Sequence, residues 1–228
     1  MGGRARLPRG MRWPRTPKGK VPLSFVATID LAQAGAFAPL PTDGTLTVFY
    51  DGGSSDEFSD LRGTTSVTWS EAGTRFRAVG NPWRGRSPEW HDRKPQYVAG
   101  LPMPIAGEAQ NVADELGEEP GWDHLVGTMN TLVSTVLPTG NQLLGASRDV
   151  QYRPVVAEIP YWLREAPRRT RRAYSAGERA GRGWIMLAQF YGTEDMSFGD
   201  AGALNLVIPK VDLEKRRFDR VLGILQSH

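Results

Sequence analysis

The sequence predicts an α+β fold that is mainly antiparallel β-sheet in two pseudo-repeated halves, with one amphipathic helix packed against the sheet. The 228 residues include 26 glycines and 17 prolines, which favour many turns and short elements over an all-helical fold. A strand–loop–strand pattern occurs twice, and one stretch between the two copies carries a helical stripe of apolar residues. We therefore expect one domain over 1–228, with a basic proline-rich arm (1–22), a first half (23–120) and a second half (121–228).

The second strand–loop–strand unit carries the stronger pattern. It begins with Trp184–Phe190, a nearly continuous apolar run that indicates a strand buried on both faces, with Trp184 itself largely buried. An acidic loop and Gly202 follow. Apolar side chains then alternate over Ala203–Ile208, until Pro209 ends the strand. These features predict two strands joined by the acidic loop.

The first unit has the same order of parts, with a weaker apolar pattern in its strands. It consists of a strand over Leu23–Ile29, a loop that ends at Gly44 and a strand over Thr45–Tyr50. When Ala27 is aligned with Ala188, a three-residue gap brings Gly44 onto Gly202. This correspondence predicts an internal duplication in which both units have the same strand order and direction.

Local patterns predict the remaining elements. Thr64–Trp69 and Thr74–Val79, joined by a four-residue loop, are typical of a β-hairpin. Trp122–Leu137 has an unbroken apolar stripe and is the clearest helix, which we expect to face the core. A short helix over Asp212–Arg217, capped by its first residue, and a strand over Val221–Gln226 end the chain.

The arm is expected to lack a regular element. Each of its four prolines has no amide donor and restricts the residue that precedes it. We expect the apolar side chains of Leu7 and Trp13 to attach this arm to the body of the protein.

Charge is segregated along the chain although the net charge is only +3. Residues 1–20 hold seven Arg or Lys and no acid, residues 95–147 hold six acids and no Lys or Arg, and residues 164–182 hold seven Arg. Two interpretations stay open. The basic and acidic surfaces partly neutralise each other within the fold, or the basic segments bind an anionic partner.

The sequence contains no recognisable catalytic or metal-binding set. Without cysteine it has no disulfide, thiolate zinc site or cysteine nucleophile, and its three histidines lack metal-ligand spacing. A serine nucleophile elbow and a phosphate-binding loop are also missing. We therefore expect no cofactor, no metal and no catalytic residue, while enzymatic activity of another kind stays open.

The acidic loop is the one place where unrecognised catalysis would fit. Glu194, Asp195 and Asp200 could pair as carboxylates or hold a hard cation, but such acids more often bond the backbone of a turn.

No signal-peptide core occurs, and no apolar run approaches the roughly 18 residues of a membrane span. We expect a cytoplasmic protein that has no membrane partner.

An ordered set of short motifs at both ends and in the centre of the chain resembles the YwqG-like (DUF1963) family. The motifs are Gly2-Gly3, Leu7-Pro8, Trp13-Pro14, Pro22-Leu23-Ser24-Phe25-Val26-Ala27, Ile29-Asp30-Leu31, Pro41, Asp43-Gly44, Leu46, Phe49, Leu143-Leu144-Gly145, Gln151, Trp184 to Gln189, Gly199-Asp200-Ala201-Gly202, Leu204, Ile208, Asp212-Leu213 and Phe218. The resemblance implies an α+β fold in a cytoplasmic bacterial protein and specifies no reaction. Members are encountered near toxin–immunity loci, and the first motif starts at the second residue, which leaves open a native chain that begins upstream.

These observations predict a non-enzymatic protein-binding module, in its most specific form an immunity-like inhibitor, whose partner has an acidic surface. The candidate ligand- or partner-binding residues are Arg168, Arg169, Arg171, Arg172, Gln189 and Asp200. One alternative is binding of an anionic ligand or nucleic acid through the arginine-rich segment 164–182. Arginine suits bidentate contact to carboxylate and phosphate alike. The other alternative is an enzyme that uses the acidic loop 194–200.

Overall fold

The structure, a computed structural model, describes residues 3–17, 21–36, 39–51, 63–80, 82, 141–145, 155, 159, 183–192, 196–200 and 202–227. Within these residues the structure gives the full bounds of nine strands, one short helix and one 3₁₀ turn. They are β1 (Ala5–Pro8), β2 (Ser24–Asp30), β3 (Thr45–Tyr50), β4 (Thr65–Ser70), β5 (Phe76–Val79), β6 (Gln142–Leu143), β7 (Trp184–Tyr191), β8 (Ala203–Pro209), α1 (Lys210–Glu214), the 3₁₀ turn (Phe218–Arg220) and β9 (Leu222–Gln226). The prediction of mainly antiparallel β-sheet is confirmed, because every named strand pair is antiparallel.

The strands form two larger sheets and a two-stranded ribbon. The three-stranded sheet has the order β2-β3-β4, the four-stranded sheet has the order β6-β7-β8-β9, and the ribbon pairs β1 with β5. Strand positions agree closely with the sequence patterns: Thr45–Tyr50 is found as predicted, and the strand expected at Leu23–Ile29 begins and ends one residue later.

Both sheets contain a one-residue register shift at the same step of their first long strand pair. In the three-stranded sheet Phe25 pairs with Phe49 and Ala27 with Val48, so the shift falls between Phe25 and Ala27. In the four-stranded sheet the shift falls between Met186 and Ala188 of β7. Such a bulge bends a strand and increases its local twist.

The inner faces of the two sheets contribute to one apolar cluster. Buried side chains from the three-stranded sheet include Ala27, Ile29, Leu46 and Val48, and those from the four-stranded sheet include Leu187, Phe190, Leu204, Leu206 and Ile208. Alternating residues of a strand point to opposite faces, so these apolar positions place one face of each sheet in a shared core. The 3₁₀ turn adds Phe218, whose ring lies 6.5 Å from that of Trp69.

The outer faces of the sheets are covered differently. The outer face of the three-stranded sheet contributes Phe25 and Phe49 to a second cluster, which is completed by Ala5 and Leu7 of the ribbon. Trp13 packs against Phe49 with ring centroids 5.1 Å apart. The outer face of the four-stranded sheet forms a third cluster of buried residues: Val155, Ile159, Met186, Val207, Leu222 and Ile224. Val155 and Ile159 are helical.

The pairing of the ribbon corrects two sequence-based predictions. The hairpin of residues 64–79 is wrong, because β4 pairs with β3 and β5 pairs with β1. The prediction that the arm lacks a regular element is also wrong, because it contains β1. Pairing with β5 lets the arm bury the alternating apolar side chains Ala5 and Leu7, while their charged neighbours stay outside. Attachment of the arm by Leu7 and Trp13 is confirmed.

Two smaller expectations also differ from the structure. The helix expected at residues 212–217 lies at Lys210–Glu214 instead, directly after Pro209, so Asp212 lies in its first turn and does not cap it. Asp212 forms an ion pair with Arg217 beyond the helix. Trp184 is half-buried against the third cluster, because it starts β7 at the margin of the sheet. The predicted helix Trp122–Leu137 lies outside the described residues.

Candidate functional site

The predicted binding residues fall in three different situations. Arg168, Arg169, Arg171 and Arg172 lie outside the described residues. Gln189 is fully buried in the centre of β7. Asp200 is exposed in the connection between β7 and β8. A buried amide and an exposed carboxylate do not form a common binding surface, so the structure does not bring these two residues together at the protein surface.

Gln189 belongs to a row of side-chain amides across the four-stranded sheet. Its Cα partners are Gln142 on β6 and Asn205 on β8. Residues directly opposite each other on neighbouring strands share a face, so the three amides lie side by side. They lie on the outer face, where Gln189 and Asn205 are completely inaccessible to solvent. The sequence pattern predicts that β7 is buried on both faces, and the complete burial of Gln189 agrees with this, so Gln189 is not a surface binding residue.

Asn205 holds a buried hydrogen-bond acceptor. Its Nδ2 donates to the carbonyl oxygens of Ala203 and Ile224, each at 3.4 Å. No donor among the described residues reaches its Oδ1. The opposite amide orientation would direct the oxygen at two carbonyl oxygens, so the nitrogen is correctly placed beside them. Because a buried polar atom without a partner is costly, Oδ1 can accept one hydrogen bond with a net gain in stability.

The ribbon carries a second candidate site, which we call the arginine surface. Its six members are exposed: Arg4, Arg6, Arg9, Arg12, Arg75 and Arg77. No carboxylate of a described residue forms an ion pair with any of them. The pairing of β1 with β5 creates this site, because it makes the arginine-containing segments 4–6 and 75–77 neighbours, with Arg6 on the ribbon face of Ala78 and Arg77 on the opposite face beside Leu7. A region with unpaired cations attracts anions and raises their local concentration.

Three of these guanidinium groups are held in place by contacts with the ribbon or with the arm. Arg4 Nη2 donates to the carbonyl of Ala78 at 3.0 Å, and Arg77 Nη2 donates to the carbonyl of Met11 at 3.0 Å. The guanidinium carbon of Arg6 lies 5.0 Å from the ring centroid of Phe76. A fixed guanidinium loses less conformational entropy when it binds, and its remaining N–H groups can pair with a carboxylate in a bidentate manner.

The sequence showed part of the arginine surface but not its assembly. The basic character of residues 1–20 was clear, whereas Arg75 and Arg77 were assigned to a hairpin with β4 and were not connected to the arm. The available signal was the alternation of arginine and apolar residues in both strands, which is typical of strands with one exposed face.

The described part of the chain offers little for acid–base or metal chemistry. It contains no group of three His, Cys, Asp or Glu side chains that could hold a metal ion. Glu194 and Asp195 of the acidic loop lie outside the described residues. The ionisable group that the fold perturbs most clearly is Tyr50, whose pKa is raised by burial and, to a smaller degree, by the negative charge of Asp51. Its ring lies 6.5 Å from that of Phe198, within the shared core.

The structure thus defines a class: an antiparallel β-sheet protein with two sheets around a shared core and an exposed arginine surface on an added ribbon. No helix in the described regions is long and apolar enough to cross a membrane. The chain belongs to the family described as a domain of unknown function, DUF1963, whose family model matches residues 1–227. The family suggested by the sequence motifs is therefore confirmed. A comparison with curated proteins found no significant match.

Proposed function

We propose that this protein is a non-enzymatic protein-binding module that acts in the cytoplasm on a partner with an acidic surface. The observation that carries the proposal is the arginine surface, where six exposed arginines have no carboxylate partner among the described residues. Complementary charge increases association rate and specificity between proteins. An immunity-like inhibitor, which covers an acidic surface of another protein, is the most specific form of such a module.

A protein partner is favoured over nucleic acid because the aromatic rings near the arginine surface are already in contact with other groups. Single-stranded nucleic acid is held by base stacking on open aromatic faces in addition to phosphate contacts. Here the ring of Phe76 already lies under Arg6. Trp13 packs on Phe49, and its Nε1 donates to the carbonyl of Leu23 at 2.7 Å. Neither ring is available for stacking without breaking these contacts.

The proposal is tested by binding of a fluorescent acidic peptide and of single- and double-stranded oligonucleotides, measured by anisotropy between about 50 and 200 mM salt. We expect the peptide to bind the protein more tightly than either oligonucleotide at the upper salt concentration. In the variant Arg6→Ala/Arg75→Ala, peptide affinity should fall about tenfold, because two charge-assisted contacts are lost.

A matched control changes the same amount of charge elsewhere. Lys210 and Lys215 are exposed at the start of α1 and directly after it, and α1 contacts β8 and the 3₁₀ turn. The variant Lys210→Ala/Lys215→Ala has the same net charge as the arginine variant and should bind the peptide as the wild type does. An equal loss of peptide affinity in both variants would show that binding depends only on net charge, which would contradict the proposal. Oligonucleotide binding that persists at the upper salt concentration and is lost in the arginine variant would identify a nucleic-acid-binding protein.

The second basic segment can be compared with the arginine surface in the same assay. Replacement of Arg168, Arg169, Arg171 and Arg172 by alanine tests the candidates that the sequence suggested in segment 164–182. If this variant loses the peptide while Arg6→Ala/Arg75→Ala retains it, the binding site is the segment and not the ribbon.

We also propose that the two sheets derive from a duplicated strand–loop–strand unit. Two features support this: the register shift falls at the same step in both sheets, and the pairs Ala27–Val48 and Ala188–Leu206 occupy matching positions after it. An experimental structure in which these pairs and the preceding shifts do not superpose together would contradict the duplication.

A further inference from the structure

We infer that the outer edge of β5, with which no described strand pairs, accepts an extended, acidic segment of the partner protein as an added strand. This inference rests on the proposed function and specifies how the partner is held at the arginine surface. Addition of a strand to an exposed sheet edge is a common mode of peptide recognition, in which main-chain hydrogen bonds supply affinity and alternate side chains supply specificity.

The hydrogen-bond ladder of the ribbon identifies which groups of β5 point away from β1. The amide of Arg9 donates to the carbonyl of Arg75 at 3.0 Å. Hydrogen-bonded and non-hydrogen-bonded pairs alternate in an antiparallel ladder. With the observed register, Leu7–Arg77 is a hydrogen-bonded pair, whereas Phe76 and Ala78 direct their amides and carbonyls outward. On β1, the carbonyl of Arg6 likewise points away from β5 and accepts a hydrogen bond from Thr47 Oγ1 at 3.4 Å.

The outward edge of β5 is open within the described part of the chain. No described strand pairs with this edge. The amides of Phe76 and Ala78 and the carbonyl of Phe76 make no hydrogen bond to described residues. Among the described residues, the carbonyl of Ala78 accepts a hydrogen bond only from the side chain of Arg4, which an added strand would replace. An incoming strand therefore meets backbone donors and acceptors at the spacing of a sheet ladder.

The charges at this edge select the chemistry of the incoming strand. Residues opposite Arg75 and Arg77 would share their face, so carboxylates at these alternate positions would pair with the guanidinium groups. The residues between them would lie opposite Phe76 and Ala78, two apolar residues, so apolar side chains suit these positions. The arginine surface also disfavours pairing with the same edge of a second copy, because like charges would be opposed.

The probe that matches this pattern is a capped peptide of about eight residues in which glutamate and valine alternate. A control peptide has the same composition, with all glutamates in one block and all valines in the other. We expect the alternating peptide to bind at least about tenfold more tightly, because only its alternation matches the pleat of a strand beside β5.

N-methylation of the peptide provides the sharper test, because it removes donors from one edge of a strand at a time. In an antiparallel added strand, the valines, which lie opposite Phe76 and Ala78, would donate to β5, whereas the glutamate amides would point away from it. Methylation of the valine amides should reduce affinity about tenfold or more, and methylation of the glutamate amides should leave it nearly unchanged.

A substitution at Ala78 tests the same hydrogen bonds from the side of the protein. Ala78→Pro removes an outward amide that the β1 ladder does not use, and proline is tolerated on edge strands. It should weaken the alternating peptide, whereas Ala78→Thr, which keeps the amide, should bind it as the wild type does. Native-like melting of both variants shows that the ribbon is intact.

The outcomes separate this inference from the proposed function. If Arg6→Ala/Arg75→Ala loses the peptide but both methylated forms bind equally, recognition is by charge alone; the edge is then excluded while the protein-binding function stands. If no acidic peptide binds and the arginine variant is indistinguishable from the wild type, the proposed function fails. Dimerisation of the wild type that Ala78→Pro abolishes would assign the edge to a second copy of this chain.

Discussion

The three-stranded and four-stranded sheets have the same register shift and the same strand pairing after it. They differ in the hydrogen bonds made by the buried polar residue of their second strand. At corresponding places after the register shift, the three-stranded sheet has Thr47 and the four-stranded sheet has Asn205, and both are fully buried. Thr47 Oγ1 donates across layers to the carbonyl of Arg6 in the ribbon. Asn205 instead donates to carbonyl oxygens of its own sheet.

This difference shows that two sheets can keep the same register while their outer faces pack against different parts of the chain. A short hydroxyl lets the ribbon approach the three-stranded sheet closely enough for a main-chain contact. The longer amide lies along the four-stranded sheet and keeps an acceptor on its outer face. The inner faces, in contrast, remain apolar in both sheets because they share one core.

The largest effect is expected at the glycine that precedes the second strand of each unit. An added Cβ at Gly202 would collide with the carbonyl oxygens of Phe198 and Gln226, and at Gly44 with Ser70 and Trp69. Backbone oxygens cannot move aside as side-chain ends can. Gly202→Ala and Gly44→Ala should each therefore lower the free energy of unfolding by about 3 kcal/mol in urea denaturation.

Two other glycines distinguish the cost of a steric collision from the cost of a positive φ. Gly80 has no positive φ and nothing within 4 Å of an added Cβ, so Gly80→Ala should change stability by less than about 0.5 kcal/mol. Gly73 has φ +81° but equally open surroundings, so Gly73→Ala should cost about 1 kcal/mol. If Gly44→Ala costs no more than Gly73→Ala, close packing is not what fixes glycine in the three-stranded sheet.

Tyr50 provides an intermediate effect that depends on pH. Its counterpart in the four-stranded sheet is Ile208, which cannot ionise. Because burial and then Asp51 raise the pKa of Tyr50, the folded state keeps this proton while the unfolded state loses it above about pH 10. Stability is therefore complete below pH 10 and decreases as the pH rises towards the folded-state pKa.

The variant Tyr50→Phe removes this alkaline loss. Relative to the wild type it should gain about 1.4 kcal/mol between pH 7 and pH 11, measured as the difference between two urea titrations. Parallel stability curves for the two proteins over this range would show that the hydroxyl reaches solvent.

The smallest effect has opposite signs in the two sheets. Asn205→Leu removes a buried acceptor that has no partner among the described residues, so it should raise the free energy of unfolding by about 1 kcal/mol. Thr47→Val removes a donor to the ribbon and should lower it by about 0.5 kcal/mol. Destabilisation by Asn205→Leu would show that the two hydrogen bonds from Nδ2, or a partner of Oδ1, outweigh the cost of the acceptor.

Strand positions could be predicted from the sequence because they depend on local alternation. Thr45–Tyr50 and Ala203–Pro209 follow the apolar pattern closely, and glycine and proline mark their ends. Strand partners could not be predicted in the same way. The short loop after β4 is compatible with a hairpin, but burial of Ala5 and Leu7 favours pairing of β5 with the arm.

Proline in the arm shows why a local rule failed. The missing amide of proline disfavours a strand, yet Pro8 occupies a non-hydrogen-bonded position of β1, where this amide is not needed for the pair with Phe76. The arginine surface was missed for a related reason. Its two Arg-x-Arg segments are far apart in sequence, and only the pairing of β1 with β5 makes them neighbours.

The long sequence separation within the ribbon also has a consequence for folding kinetics. Arg4 contacts Ala78 across 74 residues, whereas β2, β3 and β4 pair with near neighbours in the chain. Closure of a long loop is entropically costly and tends to follow the formation of local contacts. We expect the ribbon to close late in folding and to open first in the native state. A ligand that spans both strands would therefore slow amide hydrogen exchange in β1 and β5 while leaving exchange in β8 unchanged.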